Sequence, residues 1–449
     1  MDNDLGKSLN IGLQGSGPEL WERAKRVIPG GNQLLSKRVE RFLPGLWPAY
    51  YSRAQGCTVW DCLGNRYTDF AQMGVGSCVL GYADPDVNAA VIDAVSNGSM
   101  SSLNCSEEIQ LAELLVALHP WAEMARFSRS GGEACSIAVR IARAATGRSK
   151  VAFCGYHGWH DWYLAANVAD QTNLDGQLLP GLAPKGVPRE LRQTALPFSY
   201  NKLEELERIA SEHGSSVAAI IMEPLRGNRP AAGFLEGVRR IADRIGAVLI
   251  FDEVTSGFRM NVGGIHLTLG VDPDMAVLGK ALGNGFPISA IIGRRSVMDA
   301  AQESFISSTF WTERTGFVAA LATIAKFERE NVANRLVHYG ERLNRAWNEL
   351  AAEYGLQIHV SGIPPLTHLA LAGAEPMVLE TLYAQEMLAK GYLLGTAVYS
   401  TFAYSDAIID CFIGDSAPVF RLMADAMRKG NAATLLRGQP IQVGFKRLT

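Results

Sequence analysis

The sequence has few of the features of membrane, secreted or nucleic-acid-binding proteins. Its 449 residues include only seven cysteines, and 42 basic against 45 acidic residues leave a net charge of −3. Without a basic excess, the chain has little positive charge with which to bind a nucleic-acid backbone. The longest apolar runs, such as 217–222 and 247–251, are far shorter than the roughly 20 residues that span a bilayer. We therefore expect no nucleic-acid or membrane partner. The stretch 1–5 begins acidic and polar, and we expect a cytoplasmic protein.

The cysteines do not form a pattern of disulfides or zinc ligands. They stand at positions 57, 62, 78, 105, 135, 154 and 411. Disulfide frameworks belong to short secreted chains with even counts, and this chain is long and its count is odd. Cys57 and Cys62 have no second close pair of cysteines or histidines to complete four zinc ligands. We expect buried free thiols and no metal.

Strand and helix patterns alternate in the middle of the chain. With 48% apolar and 19% charged residues, the chain is able to bury a large core. The runs that predict strands are 151–154, 217–222, 247–251 and 275–278, and those that predict helices are 203–212 and 235–245. This alternation predicts an α/β fold whose mostly parallel sheet is flanked by helices. After residue 315 the pattern becomes more helical, as in 334–356, which predicts a second, C-terminal domain.

Ser130 and Glu133 mark the start of a helix. A serine followed three residues later by a glutamate is a capping box, and helical periodicity follows it. Gly131 and Gly132 leave the backbone N–H groups of the first turn accessible, and a helix N-terminus attracts anions. The segment indicates an anion site, with a well-capped structural helix as the alternative.

Tyr156 follows the predicted strand 151–154 within an aromatic run, 155–160. Ligands bind at the carboxyl ends of strands in α/β sheets, so a ring at this place is suited to cover a flat ligand. His157 and His160 have no recognisable carboxylate or thiol partner that would complete a metal site. The run predicts an aromatic lid and no metal.

Asp252 stands directly after the apolar run 247–251. A buried carboxylate is costly unless it is paired, and the protonated nitrogen of a heterocyclic ligand would pair with it. The alternatives are a helix cap or an ion pair with an arginine such as Arg259.

Lys280 follows the apolar run 275–278 and precedes the glycine-rich run 281–287. Desolvation lowers the pKa of an ammonium group and frees the amine as a nucleophile, as Schiff-base chemistry requires. A phosphate-loop lysine fits less well, because the glycines follow the lysine and no serine or threonine comes next. An anion site, an aromatic lid, an acid for a ring nitrogen and a nucleophilic amine together match one cofactor, pyridoxal 5'-phosphate (PLP).

The order of these motifs resembles that of the class III, fold type I PLP-dependent aminotransferases, and most of all the glutamate-1-semialdehyde 2,1-aminomutase branch. The matching blocks are 29–31, 60–67 with 69, 130–134, 156–158, 223–224 with 227–228, 233–236, 251–254 with 257–259, and 278–280. The resemblance implies three parts: an N-terminal segment, 1–75, that packs with the small domain; a large PLP-binding domain, 76–315; and a small α+β domain, 316–449.

The resemblance also implies residues that contact the cofactor ring. Lys280 would form the Schiff base with PLP and move the proton between substrate and cofactor, and Asp252 would pair with the ring nitrogen. Tyr156 and Val254 would pack on the two faces of the ring, and Asn228 would approach its hydroxyl group.

Four residues would hold the phosphate group by the same resemblance. Ser130, Gly131 and Gly132 would bind it with backbone amides and the serine hydroxyl. Thr309 would reach it from a second subunit, which implies a homodimer with shared active sites.

Several positions depart from the family pattern and bear on the substrate. Gly132 stands where a serine or threonine is usual, so one hydrogen bond to phosphate is lost. Arg129 stands where an asparagine is usual and would either restore that charge or contact an acidic substrate. Lys37 or Arg38 would replace the arginine that binds the substrate carboxylate in the aminomutases. Trp159 would line a wider aromatic pocket, with a core tryptophan as the alternative.

The segment 396–402 contains no carboxylate, whereas the aminomutases carry a gating glutamate there. We therefore predict an aminotransferase that moves an amino group between an amino donor and a keto or aldehyde acceptor. An aminomutase, which shares every cofactor residue, is the alternative. A binding or regulatory protein on the same fold is disfavoured, because Lys280 is present and no basic DNA-binding segment is visible.

Overall fold

The structure, a computed structural model, describes residues 15–177, 180–225 and 227–442. The strands in these ranges are β1 (Tyr51–Gln55), β2 (Thr58–Asp61), β3 (Arg66–Phe70), β4 (Met124–Ser128), β5 (Lys150–Cys154), β6 (Ala195–Pro197), β7 (Val217–Met222), β8 (Val248–Glu253), β9 (Met275–Leu278), β10 (Ser289–Gly293), β11 (Ile358–Ser361), β12 (Leu366–Leu371), β13 (Tyr392–Leu394) and β14 (Ala397–Tyr399). The longer helices are α1 (Gly17–Val27), α2 (Pro85–Ser96), α3 (Ser106–Leu118), α4 (Gly131–Thr146), α5 (Leu203–His213), α6 (Phe234–Ile245), α7 (Arg314–Arg329), α8 (Val332–Tyr354), α9 (Pro376–Ala389) and α10 (Asp406–Lys429).

The chain divides into two compact units. Of the described residues, the small unit holds those up to Val75, Gly81–Ala83 and those from His338 onwards, and the large unit holds Gly76–Leu80 and those within Asp84–Val337. Helix α7 belongs to the large unit, although the sequence led us to expect the C-terminal domain from residue 316. Helix α7 belongs to the large unit because it packs against α2 and α3. Its Lys326 also places Nζ 2.7 Å from Oδ2 of Asp84, the N-cap of α2.

The large unit is built on a seven-stranded sheet in the order β4-β10-β9-β8-β7-β5-β6. The neighbours from β9 to β6 run parallel, and β10 is antiparallel to both β4 and β9. Every residue of β7, β8 and β9 is buried, as expected for parallel strands covered on both faces. The α/β prediction is confirmed, and β7 and β9 have the predicted bounds. The carboxyl ends of β5, β7, β8 and β9 all lie at one edge of this sheet.

The small unit contains two sheets. One has the order β1-β2-β3-β13, with β13 parallel to β3, and the other is the antiparallel sheet β11-β12-β14. Helices α8, α9 and α10 contribute large side chains to its core, among them Trp347, Tyr383 and Phe412. The helix expected at 334–356 is present as α8.

All seven cysteines are free, but they are not all buried. Cys57, Cys78, Cys135 and Cys154 are buried; Cys62 and Cys105 are half-buried; and Cys411, on α10, faces solvent. The expectation of buried thiols is therefore wrong for Cys411. In the described ranges, none of the helices has the length and apolar character needed to cross a membrane.

Candidate active site

Helix α4 begins with the predicted capping box. Ser130 is the N-cap: its Oγ accepts the N–H of Glu133 at 3.5 Å, and its own N–H donates to Glu133 Oε2 at 3.0 Å. Within a helix, the N–H groups of the first turn have no carbonyl acceptor. The N–H groups of Gly131 and Gly132 belong to that turn, so this end of α4 is suited to bind an anion.

Neighbouring atoms pack so closely around this helix end that Gly131 and Gly158 leave no room for a Cβ. A Cβ on Gly131 would lie 2.7 Å from Cγ1 of Val254, and one on Gly158 would lie 2.7 Å from Cα of Gly132. Gly155 and Gly158 also have φ of +113° and +103°, which other residues rarely adopt. The loop after β5 therefore lies directly on the first turn of α4.

Asp252, near the end of β8, is 4% exposed and is held by three donors. Its Oδ2 lies 2.7 Å from Nδ1 of His157 and accepts from Sγ of Cys135 at 3.3 Å, and its Oδ1 accepts the N–H of Val254 at 3.0 Å. Burial on its own would raise the pKa of this carboxyl, but the hydrogen bond and charge of His157, with the other two donors, hold the pKa below its usual value. Asp252 thus stays ionised in a buried position.

Within the described part of the chain, Asp252 does not form the ion pair with Arg259 that the sequence offered as an alternative; its partners there are His157, Cys135 and Val254. The bonds recorded for the Arg259 guanidinium go to the carbonyl oxygens of Thr255 and Gly76. Sequence reasoning missed His157 as the partner because it lies after β5, while Asp252 lies on β8 and β7 runs between these strands. The strand order was needed to bring them together.

Cys135, His157 and Asp252 also form a group whose ligand atoms lie within 4.8 Å of one another. Their mutual hydrogen bonds account for this closeness. Burial, followed by the charge of Asp252, raises the pKa of the Cys135 thiol well above its usual value, so the thiol keeps its proton and is a poor metal ligand. We describe the group as a hydrogen-bonded support for Asp252.

Lys280 follows β9 and has an unusual backbone. Its φ of +46° lies in the left-handed region, which costs a residue other than glycine on the order of 1–3 kcal/mol and is found mostly at functional sites. Its Nζ donates to Oγ1 of Thr255 at 2.7 Å. A Cβ on the preceding Gly279 would lie 3.4 Å from Cγ1 of Val254, the same atom that faces Gly131. The lysine, the end of β8 and the start of α4 therefore meet around Val254.

Thr255 belongs to this candidate site, although the sequence analysis did not single it out. It follows the carboxylates that end β8, and its position next to Val254 was the only available signal. Its hydroxyl fixes the direction of the Lys280 amine.

Tyr156 is half-buried just after the carboxyl end of β5, whereas Asn228 is exposed. The Tyr156 N–H donates to Oε2 of Glu223 at 3.2 Å, and its ring lies edge-on to that of Tyr163 with centroids 6.0 Å apart. Asn228 is exposed in the segment after β7. Within the described ranges it has no recorded hydrogen bond to another predicted site residue.

Arg129 anchors the segment that carries Thr309. Its guanidinium donates to the carbonyl oxygens of Pro287, Phe310 and Glu313, and it lies over the ring of Phe317. Thr309 itself is exposed. The guanidinium is thus engaged with protein carbonyls, which supports a positioning role rather than either predicted contact.

The remaining residues predicted to contact substrate are Lys37, Arg38 and Trp159, and each has its own set of neighbours. Lys37 is exposed, and the buried Arg38 places Nε 3.4 Å from Oε2 of Glu40 within the small unit. Trp159 is 69% exposed and stacks on His160 with ring centroids 4.5 Å apart. The alternative of a core tryptophan is therefore wrong for Trp159.

Comparison with known proteins supports the chemistry that this geometry suggests. The family model for class III aminotransferases matches residues 45–377. The chain is 33% identical to 3-aminobutyryl-CoA aminotransferase of Cloacimonas acidaminovorans, over 78% of this chain and 82% of that protein. It is 36% identical to glutamate-1-semialdehyde 2,1-aminomutase of Methanothrix thermoacetophila, over 78% and 80%.

The fold has matching relatives among solved structures. An omega-transaminase from Sphaerobacter thermophilus superposes with a TM-score of 0.80 at 28% identity, covering 92% of this chain and 98% of that one. With the family model matching most of its length, the chain belongs to the class III aminotransferases, the PLP-dependent enzymes of fold type I.

Proposed function

We propose that this class III aminotransferase moves an amino group between two separate substrates, with Lys280 as the residue that binds PLP covalently. One observation carries the proposal. The Lys280 amine and the buried carboxylate of Asp252 stand at the ends of neighbouring strands, β9 and β8, beside the glycine-lined start of α4.

The residues present fit PLP. The first turn of α4 supplies N–H groups for a phosphate, and the close backbone packing at Gly131 leaves no side chain there to block it. Asp252 keeps its negative charge when buried, as a partner of a protonated ring nitrogen must. Tyr156 is half-buried at the end of β5, where a ring could be covered. When bound, PLP supplies an electron sink for the carbanion that forms when the substrate Cα loses its proton.

The protein contributes binding, orientation and proton movement. Lys280 Nζ would hold the cofactor covalently through its aldehyde carbon, and once the substrate amine displaces it, the freed amine would carry the proton from the substrate Cα. Thr255 orients this amine through the bond to its hydroxyl. His157 keeps Asp252 ionised and fixed in direction.

Two substrates are favoured over one by the segment 396–402. It has no carboxylate that would serve as the gate of an aminomutase, and β14 within it is buried. A mutase must retain its intermediate between the two amino exchanges, and a closing gate is one way to do so. The second candidate function, glutamate-1-semialdehyde aminomutase, is supported by relatives that carry that name at 32–36% identity.

The two functions are separated by substrate requirement. We expect the enzyme loaded with pyridoxamine phosphate to pass its nitrogen to an added keto or aldehyde acceptor, and net turnover to need a donor and an acceptor. Steady conversion of glutamate 1-semialdehyde to 5-aminolevulinate with neither added, at about 1 per second or faster, would overturn this in favour of the mutase. Borohydride reduction and peptide mapping test Lys280, because a phosphopyridoxyl label on another lysine would contradict its assignment.

We also propose a cytoplasmic homodimer in which Thr309 contacts the phosphate of the partner's site. Two large apolar side chains flank Thr309 and are strongly exposed, Phe305 at 87% and Phe310 at 67%. Exposed apolar groups of this size are typical of protein interfaces, and a second copy would cover them. The seven free cysteines fit a reducing compartment.

A further inference from the structure

His160 lies over the first turn of α4. It caps the four-residue helix Asp161–Leu164, and its ring stacks on Trp159. Its Nδ1 and Cε1 both lie 3.2 Å from the point where a Cβ on Gly132 would be. The imidazole thus occupies the space that a side chain at position 132 would enter.

Among the residues that the structure describes, the Nδ1 atom of His160 has no hydrogen-bond partner. It is inaccessible to solvent, although the residue as a whole is only half-buried. Buried polar atoms in proteins are almost always paired, and each exception needs an explanation. Here the imidazole lies beside Gly132 in the first turn of α4, whose N–H groups have no carbonyl acceptor within the helix. A ligand with acceptor oxygens at this helix end would satisfy the ring and the helix together.

We propose that His160 donates a hydrogen bond from Nδ1 to the phosphate of PLP, in place of the hydroxyl that Gly132 lacks. The proposal rests on the proposed function, since it assumes that PLP binds here. The loop after β5 then supplies the donor that related enzymes take from the helix itself, and a serine or threonine at 132 is dispensable because the ring occupies its space.

A neutral imidazole suffices for this role, because it carries one proton and that proton can reside on Nδ1. Burial lowers the pKa of His160, while Glu133 and Asp161, the charged groups acting on it, oppose that change without reversing it. The bond is therefore expected to persist at neutral pH, where the phosphate is mostly a dianion.

The test compares PLP with pyridoxal, which lacks the phosphate, in titrations of the cofactor-free enzyme. His160→Ala should weaken PLP binding at least 10-fold and leave pyridoxal binding within 2-fold, so that the preference for PLP falls by the same factor. His160→Asn, which keeps a donor nitrogen near the same place, should retain most of the preference. His213→Ala, a change at another half-buried histidine, is the matched control.

A second substitution tests the exchange of donors. Gly132→Ser alone should bring no gain, because its Cβ would press on the imidazole. In the His160→Ala background it should restore the preference for PLP to within about 3-fold of the wild type. An unchanged preference in His160→Ala, or no rescue by Gly132→Ser, would overturn the proposal. Failure of the proposed function looks different, because the wild-type enzyme itself would then not bind PLP covalently.

Discussion

A carboxylate next to the apolar core of a sheet keeps its charge only if its neighbours are arranged for it. Asp252 accepts three hydrogen bonds, and the one from His157 comes from the loop that follows β5. These bonds stabilise the ionised carboxylate and hold its pKa below the usual value, although burial alone would raise that pKa. The charge of Asp252 therefore depends on the three donors around it as well as on the aspartate itself.

Asp252→Asn should abolish most turnover with a modest effect on folding. A neutral amide of the same shape cannot stabilise a positive ring nitrogen, and loss of one such electrostatic group typically costs about 100-fold or more in turnover. Steady-state kinetics and thermal unfolding measure the two effects. Asp272→Asn, at an exposed aspartate, is the control, and near-normal turnover of Asp252→Asn would show that the carboxylate is structural.

His119 makes the stability of the large unit sensitive to acid. Its Nδ1 donates to the carbonyl oxygen of Leu115 at 2.7 Å, and its Nε2 accepts the N–H of Gly264 at 2.9 Å, so the ring is neutral. Burial, with a contribution from nearby His266, lowers its pKa to about 4. The unfolded chain, with a pKa near 6.5, takes up the proton first, so stability present above pH 6.5 is lost as the pH falls towards 4.

The difference between the pKa values of His119 in the unfolded and folded chain predicts that the free energy of unfolding falls by about 3 kcal/mol between pH 6.5 and pH 4. His119→Gln should lower stability at pH 7.5 and flatten the pH dependence below 6.5, because no buried imidazole remains to be protonated. Urea unfolding at a series of pH values measures both, with His359→Gln at an exposed position as the control. An unchanged slope in His119→Gln would contradict the assignment.

At the scale of helices and strands, the elements that the sequence predicted best are those with long buried runs. Strands β7 and β9 were predicted with their bounds because each is a continuous apolar run, and the capping box placed the start of α4. The three-residue strands β13 and β14 are too short to show a period. The pairing of His157 with Asp252 depends on strand order, which periodicity does not contain. The sequence pointed to Lys280 and Asp252 as candidate site residues, but it gave no sign of the bond between Lys280 and Thr255.

Replacing either of two helical glycines in the small unit by alanine should change the stability of the protein, in opposite directions. Gly414 lies exposed within α10, and a Cβ there meets no atom of the described residues within 4 Å. A Cβ on Gly340 in α8 would instead lie 1.8 Å from the carbonyl oxygen of Pro364. Gly414→Ala should stabilise by about 0.5–1 kcal/mol through helix propensity. Gly340→Ala should destabilise by about 1–3 kcal/mol, because backbone must move. Thermal unfolding compares them, and equal shifts would contradict the packing argument.

At the scale of the whole molecule, Thr309 tests whether two subunits complete one site. Thr309→Val should raise the dissociation constant for PLP by roughly 10- to 100-fold, as expected for loss of one hydrogen bond to a charged acceptor. Thr309 is exposed, and its backbone carbonyl oxygen accepts a hydrogen bond from the Thr312 hydroxyl, which the substitution leaves in place. Folding should therefore be unaffected. Equilibrium titration of the cofactor-free enzyme measures the change.

Mixed subunits give the matched test. When Thr309→Val and Lys280→Ala chains are combined, one site of each mixed dimer has its own intact lysine and the partner's intact threonine. That site should bind PLP with wild-type affinity if the contact crosses the interface. A monomeric protein with full cofactor affinity, or mixed dimers without a wild-type site, would contradict the shared site.

The glycines that bring the loop after β5 onto α4 also set limits on how this enzyme can be diversified. A Cβ at Gly131 would lie 2.7 Å from the Val254 side chain, and one at Gly158 would lie 2.7 Å from Cα of Gly132. Gly155 has a φ of +113°, which other residues rarely adopt, so we expect substitutions at these three glycines to disturb the site. Trp159, in the same loop, is 69% exposed and tolerates exchange on steric grounds. Libraries that seek altered substrate range should hold the three glycines constant and randomise Trp159.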